Sequence, residues 1–218
     1  MLYGSHQKLS KQPNVDIKIY NQTILETKSY KYLGVDLDNH LNLRQHFGNV
    51  YKKASARVKL LSRIREKVSP YVAESIYKAM IRPLLLYCYP LQLSLPQGTV
   101  NTLQYIQDRA ARIVNPRAKI TSWDSIEKTR NTRVAIDVFK SLHNLLPEDL
   151  NGYFKRCRHE INTRGNGSCV VLPKMRTETG KKSFAYQGAR IFNRLEKTTR
   201  DEISILLFKK KLKLSKSL

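Results

Sequence analysis

The sequence predicts an α+β fold that is mostly α: short antiparallel β strands at the N-terminus, then a helical bundle, then a basic helical extension. Three observations carry this expectation. Alternation of apolar and polar residues with period two is confined to the first forty positions. From Leu43 onward apolar residues recur at three- and four-residue spacing, the stripe of an amphipathic helix. After a turn-rich stretch, helical spacing returns in the last third with a strong excess of lysine and arginine.

The strands come first. Val15, Ile17 and Ile19 alternate with Asp16, Lys18 and Tyr20, and Asn21-Gln22 reads as a turn into a short run at Ile24-Leu25. Tyr30 to Asp38 forms a further run, with Tyr30, Tyr32, Val35 and Leu37 expected to face inward. Gly34 breaks its alternation, as a bulge or a close backbone approach would. The period then becomes helical. Phe47, Val50, Ala54, Val58, Leu61, Ile64 and Val68 define a helix over Leu43 to Val68. Ser69-Pro70 ends it and starts a second, on Val72, Ala73, Ile76, Tyr77, Met80, Ile81 and Leu84, which Pro83 should kink or end. Thr99 caps a third through Val114, and a fourth runs from about Asn131 to Leu146. Pro147 begins a short helix toward Phe154. Asn162 to Ser168 is a turn-rich linker, Cys169 to Pro173 an extended piece, and Ser183 to Thr198 and Ile203 to Leu214 are helical.

Charge narrows the function classes. Forty Lys and Arg against seventeen Asp and Glu give a net charge of +23 over 218 residues. Such a field attracts polyanions, nucleic acid first and anionic membrane surfaces second. The charge is patterned: residues 44–67 carry eight basic side chains and one acid, Glu66. Basic side chains on a helix face opposite an apolar stripe suit backbone phosphates, which are read by charge alone. Lys52, Lys53, Arg57, Lys59 and Arg63 on the first long helix, with Arg109 and Arg112 on the third, are the candidate nucleic-acid-binding residues. Tyr51, Tyr153, Phe154 and Tyr186 are candidates for stacking on unpaired bases.

Other classes find little support. Three cysteines, Cys88, Cys157 and Cys169, cannot make a disulfide-rich secreted scaffold and read as reduced thiols of an intracellular protein. Residues 1–7 lack the apolar core of a secretion signal. Met80 to Leu95, the most apolar stretch, contains Arg82, Pro83, Pro90 and Gln92 and falls short of the roughly 20 apolar residues of a membrane span. Asp36-x-Asp38 sets two carboxylates on one strand face, and Cys157-x-His159 with Cys169 and His143 offers thiol and imidazole ligands. The Cys/His spacing does not match the usual structural zinc sites, and the Asp pair reads as a strand end and turn, with a metal pair as its alternative. No phosphate-binding glycine loop, nucleophile elbow or Cys-x-x-Cys occurs. We therefore assign no catalytic residue and no metal ligand.

The order of local patterns resembles a known family. Tyr30-Lys31-Tyr32-Leu33-Gly34-Val35, Leu37-Asp38, Leu41 and His46 resemble a segment of the reverse transcriptases of non-LTR (LINE-type, jockey-like) retrotransposons. Ile76 to Pro83 with Tyr87-Cys88, Leu103 to Arg112, Phe139 to His143 with Pro147 and Leu150, Thr177 to Phe184, and Gly188-Ala189 resemble further motifs in the family's order. Pro90-Leu91-Gln92 stands where the family usually has Trp, and Phe192-Asn193-Arg194-Leu195-Glu196 where it has Trp-Asn-x-Leu-Pro. The resemblance implies that residues 1–41 are the end of the polymerase palm, 42–154 the helical thumb and following helices, and 155–218 a basic C-terminal extension. It implies RNA, DNA or RNA–DNA hybrid as partner, bound through backbone phosphates, together with the palm and fingers if the chain belongs to a longer one, and no membrane. It implies Mg²⁺ for the full-length enzyme, but places the metal-binding aspartates upstream, so this chain holds no cofactor and is inactive alone. Lys209-Lys210-Lys211, Lys213 and Lys216 are compatible with a nuclear address. The alternative is a stand-alone basic adaptor for nucleic acid or protein, derived from such an element.

Overall fold

The computed structural model describes residues 1–4, 6–11, 17–116, 123–157 and 169–214. The expected strand positions Val15 and Asp16, His159, the turn-rich linker up to Ser168, and Lys216 lie outside the described residues. The fold is α+β and mostly α, as the periodicities predict. It divides into two compact units, one of residues 1–87 and 95–121, the other of residues 88–94 and 122–218.

The first unit begins with a one-turn helix, α1 (His6–Leu9), and two antiparallel strand pairs: β1 (Lys18–Ile19) with β2 (Gln22–Thr23), and β3 (Ser29–Tyr32) with β4 (Val35–Asp38). Tyr32 pairs with Val35, so Leu33 and Gly34 form a two-residue turn. Both have positive φ, 45° and 82°, the left-handed turn that matches strand twist. Gly34 thus marks a turn, and a close approach as well: an added Cβ would lie 3.3 Å from the Tyr87 hydroxyl. Of the four expected inward residues, Val35 is buried and Leu37 half-buried. Tyr30 and Tyr32 are 60% and 58% exposed, because among the described residues no layer covers that face of the two-stranded ribbon.

Three helical stretches complete this unit. α2 (Arg44–Ile64) buries His46, Phe47, Val50, Ala54, Val58 and Leu61. A short 3₁₀ turn (Arg65–Lys67) ends it, and Ser69 caps α3 (Pro70–Ile76) by accepting from the Val72 N–H, with Pro70 in the first turn. The helix does not simply stop at Pro83. It widens into a π turn (Tyr77–Ile81) and continues as α4 (Arg82–Leu85), which accommodates a proline that supplies no N–H. α5 (Gln97–Val114) starts two residues before Thr99, because the Pro96 carbonyl accepts from the Thr99 and Val100 N–H groups and serves as the cap position itself. Arg65, near the end of α2, donates to the Ile113 and Val114 carbonyls at the end of α5, so α2 and α5 run in the same direction. The α3–α4 stretch returns between them. Arg57 of α2 donates to the Met80 carbonyl, and the buried Tyr77 hydroxyl donates to Gln107 Oε1 of α5 at 2.8 Å.

The second unit is built on α6 (Ile126–Leu142), α8 (Phe184–Asn193) and α10 (Ile205–Leu214), with short turns α7 (Glu178–Lys181) and α9 (Lys197–Arg200). α6 begins five residues before Asn131 because Ser125 accepts from the Lys128 N–H, and it ends at Leu142 because Asn144 takes a left-handed φ of 53°. The segment expected to be helical from Pro147 to Phe154 is only a 3₁₀ turn, Glu148–Leu150. Val134, Val138, Phe139, Phe154, Phe192 and Phe208 form the core, with Phe139 and Phe208 stacked at 4.3 Å between ring centroids.

Candidate nucleic-acid interface

The α2 helix positions the basic face. Its apolar residues recur so that all buried side chains fall on one side. At about 100° of rotation per residue, Lys52, Lys59 and Arg63 lie within about 40° of one another and roughly opposite that buried stripe. All three are exposed, as is Lys53 toward the stripe's edge. Lys52 to Arg63 spans about 16 Å at 1.5 Å per residue, roughly five steps of a nucleic-acid strand. Among Lys52, Lys53, Lys59 and Arg63 no ion pair with a described acid occurs, so their charge faces solvent.

The other predicted residues divide differently. Arg57 is half-buried and its guanidinium donates to the Met80 carbonyl, so it clamps the bundle as well as carrying charge. Arg112 is exposed on α5, its Nε donating to the Asp108 carbonyl at 3.3 Å, whereas Arg109 is half-buried. Arg65, also part of the basic run, is consumed structurally: it donates to the Ile113, Val114 and Val68 carbonyls and closes the C-terminus of α5, where a cation also favours the helix dipole.

The aromatic candidates need correction. Phe154 is 5% exposed and packs beneath Gly188, so it cannot stack on a base. Tyr186 is half-buried, while Tyr51 and Tyr153 remain accessible. Tyr105 was missed. It is 53% exposed on α5, one turn before Arg109 and two before Arg112, and its offset from the Leu103–Ile106–Ala110 stripe was the available signal.

The carboxylates of the strand-end motif serve the fold. Asp38 accepts from the backbone N–H groups of His40, Asn42 and Leu43, the last at 2.8 Å, and so braces the turn that leads into α2. Asp36 accepts from Asn49 Nδ2 at 3.0 Å and lies 3.8 Å from His46. His46 is buried, and burial holds its pKa below the usual imidazole value despite the neighbouring Asp36 carboxylate. The Mg²⁺ implied for the family's full-length enzyme does not fit here, since both carboxylates are committed to hydrogen bonds within the strand–helix junction. Among the described residues no three His, Cys, Asp or Glu side chains converge. No described helix is long and apolar enough to cross a membrane.

Two further positions of these patterns hold the backbone in place. Asn193 donates from Nδ2 to the Val170 carbonyl and accepts the Val170 N–H, both at 2.8 Å, between the buried Phe192 and Leu195. Ser141 donates to the Leu150 carbonyl and accepts from the Phe154 N–H, fixing the chain after α6.

No family model matches the chain, and no solved structure matches it at a significant level. Among curated proteins, the RNA-directed DNA polymerase from mobile element jockey of Drosophila melanogaster is 26% identical over 102 residues. The match covers 45% of this chain and 11% of that protein, so the chain spans a small part of the relative's length. This similarity supports the relation to non-LTR reverse transcriptases that the motif order implies.

Proposed function

We propose that this chain is a piece of a non-LTR retrotransposon RNA-directed DNA polymerase that grips the template–primer duplex through backbone phosphates and holds none of the polymerase chemistry. Residues 1–41 then correspond to the palm end, 42–154 to the thumb and following helices, and 155–218 to the basic extension. The observation that carries this reading is the exposed Lys52–Lys59–Arg63 ridge on α2, directed away from the core and facing solvent. Exposed cations on a rigid helix suit a phosphate backbone, and no base-reading motif accompanies them. Lys53, Arg57, Arg109 and Arg112 extend the contact, with Tyr105 as a stacking platform. The face of β3 that carries Tyr30 and Tyr32 is where neighbouring palm strands of a longer chain would pack.

The test is a pair of measurements on the full 218-residue chain. Binding to RNA–DNA hybrid, RNA and DNA duplexes of unrelated sequence is expected to be similar for each form and to weaken steeply with salt. Primer extension with Mg²⁺ is expected to yield no product above background. Binding that ignores salt, or extension by a clean preparation, contradicts the proposal.

A further inference from the structure

Cys157 and Cys169 flank residues 158–168, and the fold places them opposite each other. Arg156 pairs with Val170 in an antiparallel bridge, which sets Cys157 against Cys169. The Cys157 N–H donates to the Cys169 carbonyl at 2.8 Å, and the Val171 N–H donates to the Lys155 carbonyl at 2.9 Å on the other side of the pair. Directly opposed residues of an antiparallel pair send their side chains to the same face. The register is fixed from a second direction by Asn193, which clamps both backbone polar groups of Val170.

A charged side chain completes the cluster. Arg200 is 8% exposed, its Nη1 donates to Cys169 Sγ at 2.8 Å, and its Nε has no partner among the described residues. A buried guanidinium is costly without a compensating negative charge. Cys169 Sγ is the acceptor that this guanidinium faces. Burial and the neighbouring Cys169 both push the Cys157 thiol up, whereas the Arg200 contact falls on Cys169. Both thiols are only half-buried, within reach of a small reagent.

We propose that Cys157 and Cys169 form a reversible disulfide on reaction with a low-molecular-weight disulfide, Cys169 reacting first and Cys157 resolving the intermediate. Cys169 gives its proton to solvent and attacks one sulfur of the small disulfide. The old S–S bond breaks, a mixed disulfide forms, and the departing thiolate takes a proton. Cys157 then gives its proton to solvent and attacks Cys169 Sγ, expelling the second small thiolate, which is protonated in turn. Two protein thiols lose two electrons and two protons, and the small disulfide gains them as two thiols. Opposed Cβ atoms in such a pair stand ~4.5–5.5 Å apart, against ~3.5–4.5 Å in a relaxed disulfide, so an approach of about 1 Å is needed. That mismatch makes the bond a labile, reducible one.

The experiment exposes the full chain to oxidised glutathione at set ratios to reduced glutathione, traps free thiols, and maps the unreduced digest by mass spectrometry. The expected product joins the Cys157 and Cys169 peptides and leaves Cys88 free. In C157S, glutathione is expected to remain on Cys169. In R200Q, reaction at Cys169 is expected to slow about tenfold. C157S does not depend on R200Q folding normally. Glutathione retained on Cys169 of the native chain with no cross-link, or Cys88 reacting as fast as Cys169, would overturn the proposal.

Discussion

The Tyr87 hydroxyl donates a hydrogen bond to the Leu33 carbonyl, tying the tip of the β3–β4 turn to the end of the α3–α4 stretch, 54 residues away in sequence. Gly34 lies directly beneath that hydroxyl. The Tyr-Leu-Gly turn and the later Tyr-Cys element are thus two halves of one contact within the first unit.

Removing the hydroxyl alone isolates it. Y87F is expected to lower stability by about 1 kcal/mol, the usual value of a partly exposed hydrogen bond. It should also speed tryptic cleavage at Lys31. Urea denaturation and timed digestion measure both, and native behaviour in each would show that the contact does not hold the turn.

Asp38 organises the turn before α2. D38A strips acceptors from three backbone N–H groups and is expected to cost about 1–2 kcal/mol. D38N retains an acceptor and should recover a large part of that loss. Equal loss in both variants would contradict the acceptor role.

His46 makes the stability pH-dependent. Its Nδ1 accepts the Asp36 N–H at 3.4 Å, which requires the neutral ring, and burial lowers its folded pKa below the ordinary imidazole value of about 6.5. Below 6.5 the unfolded chain then binds more protons than the folded one. The contribution is fully present above that pH and is lost as pH falls through and beneath it. H46Q is expected to flatten the pH dependence of unfolding between pH 7.5 and about 5. An unchanged slope would exclude His46 as its source.

Gly188 is required by packing. A Cβ there would stand 2.8 Å from Phe154 Cζ and 3.2 Å from Val138 Cγ2, inside the second unit's core. G188A is therefore expected to cost about 1–3 kcal/mol, read as a lowered urea midpoint. A neutral result would mean that the Phe154 ring relaxes freely.

The long apolar stripes were legible because burial selects residues by helical period, and α2 and α5 follow their stripes closely. Helix ends were less so. The stripe through Leu145 suggested a longer α6, but Asn144 in the left-handed region stops it, and Ser125 starts it early. Inward strand faces were misjudged at Tyr30 and Tyr32, since alternation predicts two faces but not whether anything covers one. In the site, the charge of Lys52, Lys59 and Arg63 and their place opposite the core follow from spacing. The diversion of Arg65 and Arg57 to carbonyls does not, because it depends on where another helix ends or turns. The opposition of Cys157 and Cys169 likewise needs the register of the bridge.

The account rests most directly on the α2 ridge, and a salt titration tests it. Binding of an RNA–DNA hybrid to the native chain and to the K52A/K59A/R63A variant would be followed by fluorescence anisotropy from 50 to about 200 mM salt. The variant's substitutions are all exposed, so an unaltered circular dichroism spectrum is expected. The account predicts a slope of log affinity against log salt reduced by roughly two to three, as the loss of three phosphate contacts requires, with no change in sequence preference. An unchanged slope and affinity would place the nucleic acid elsewhere and contradict the central claim.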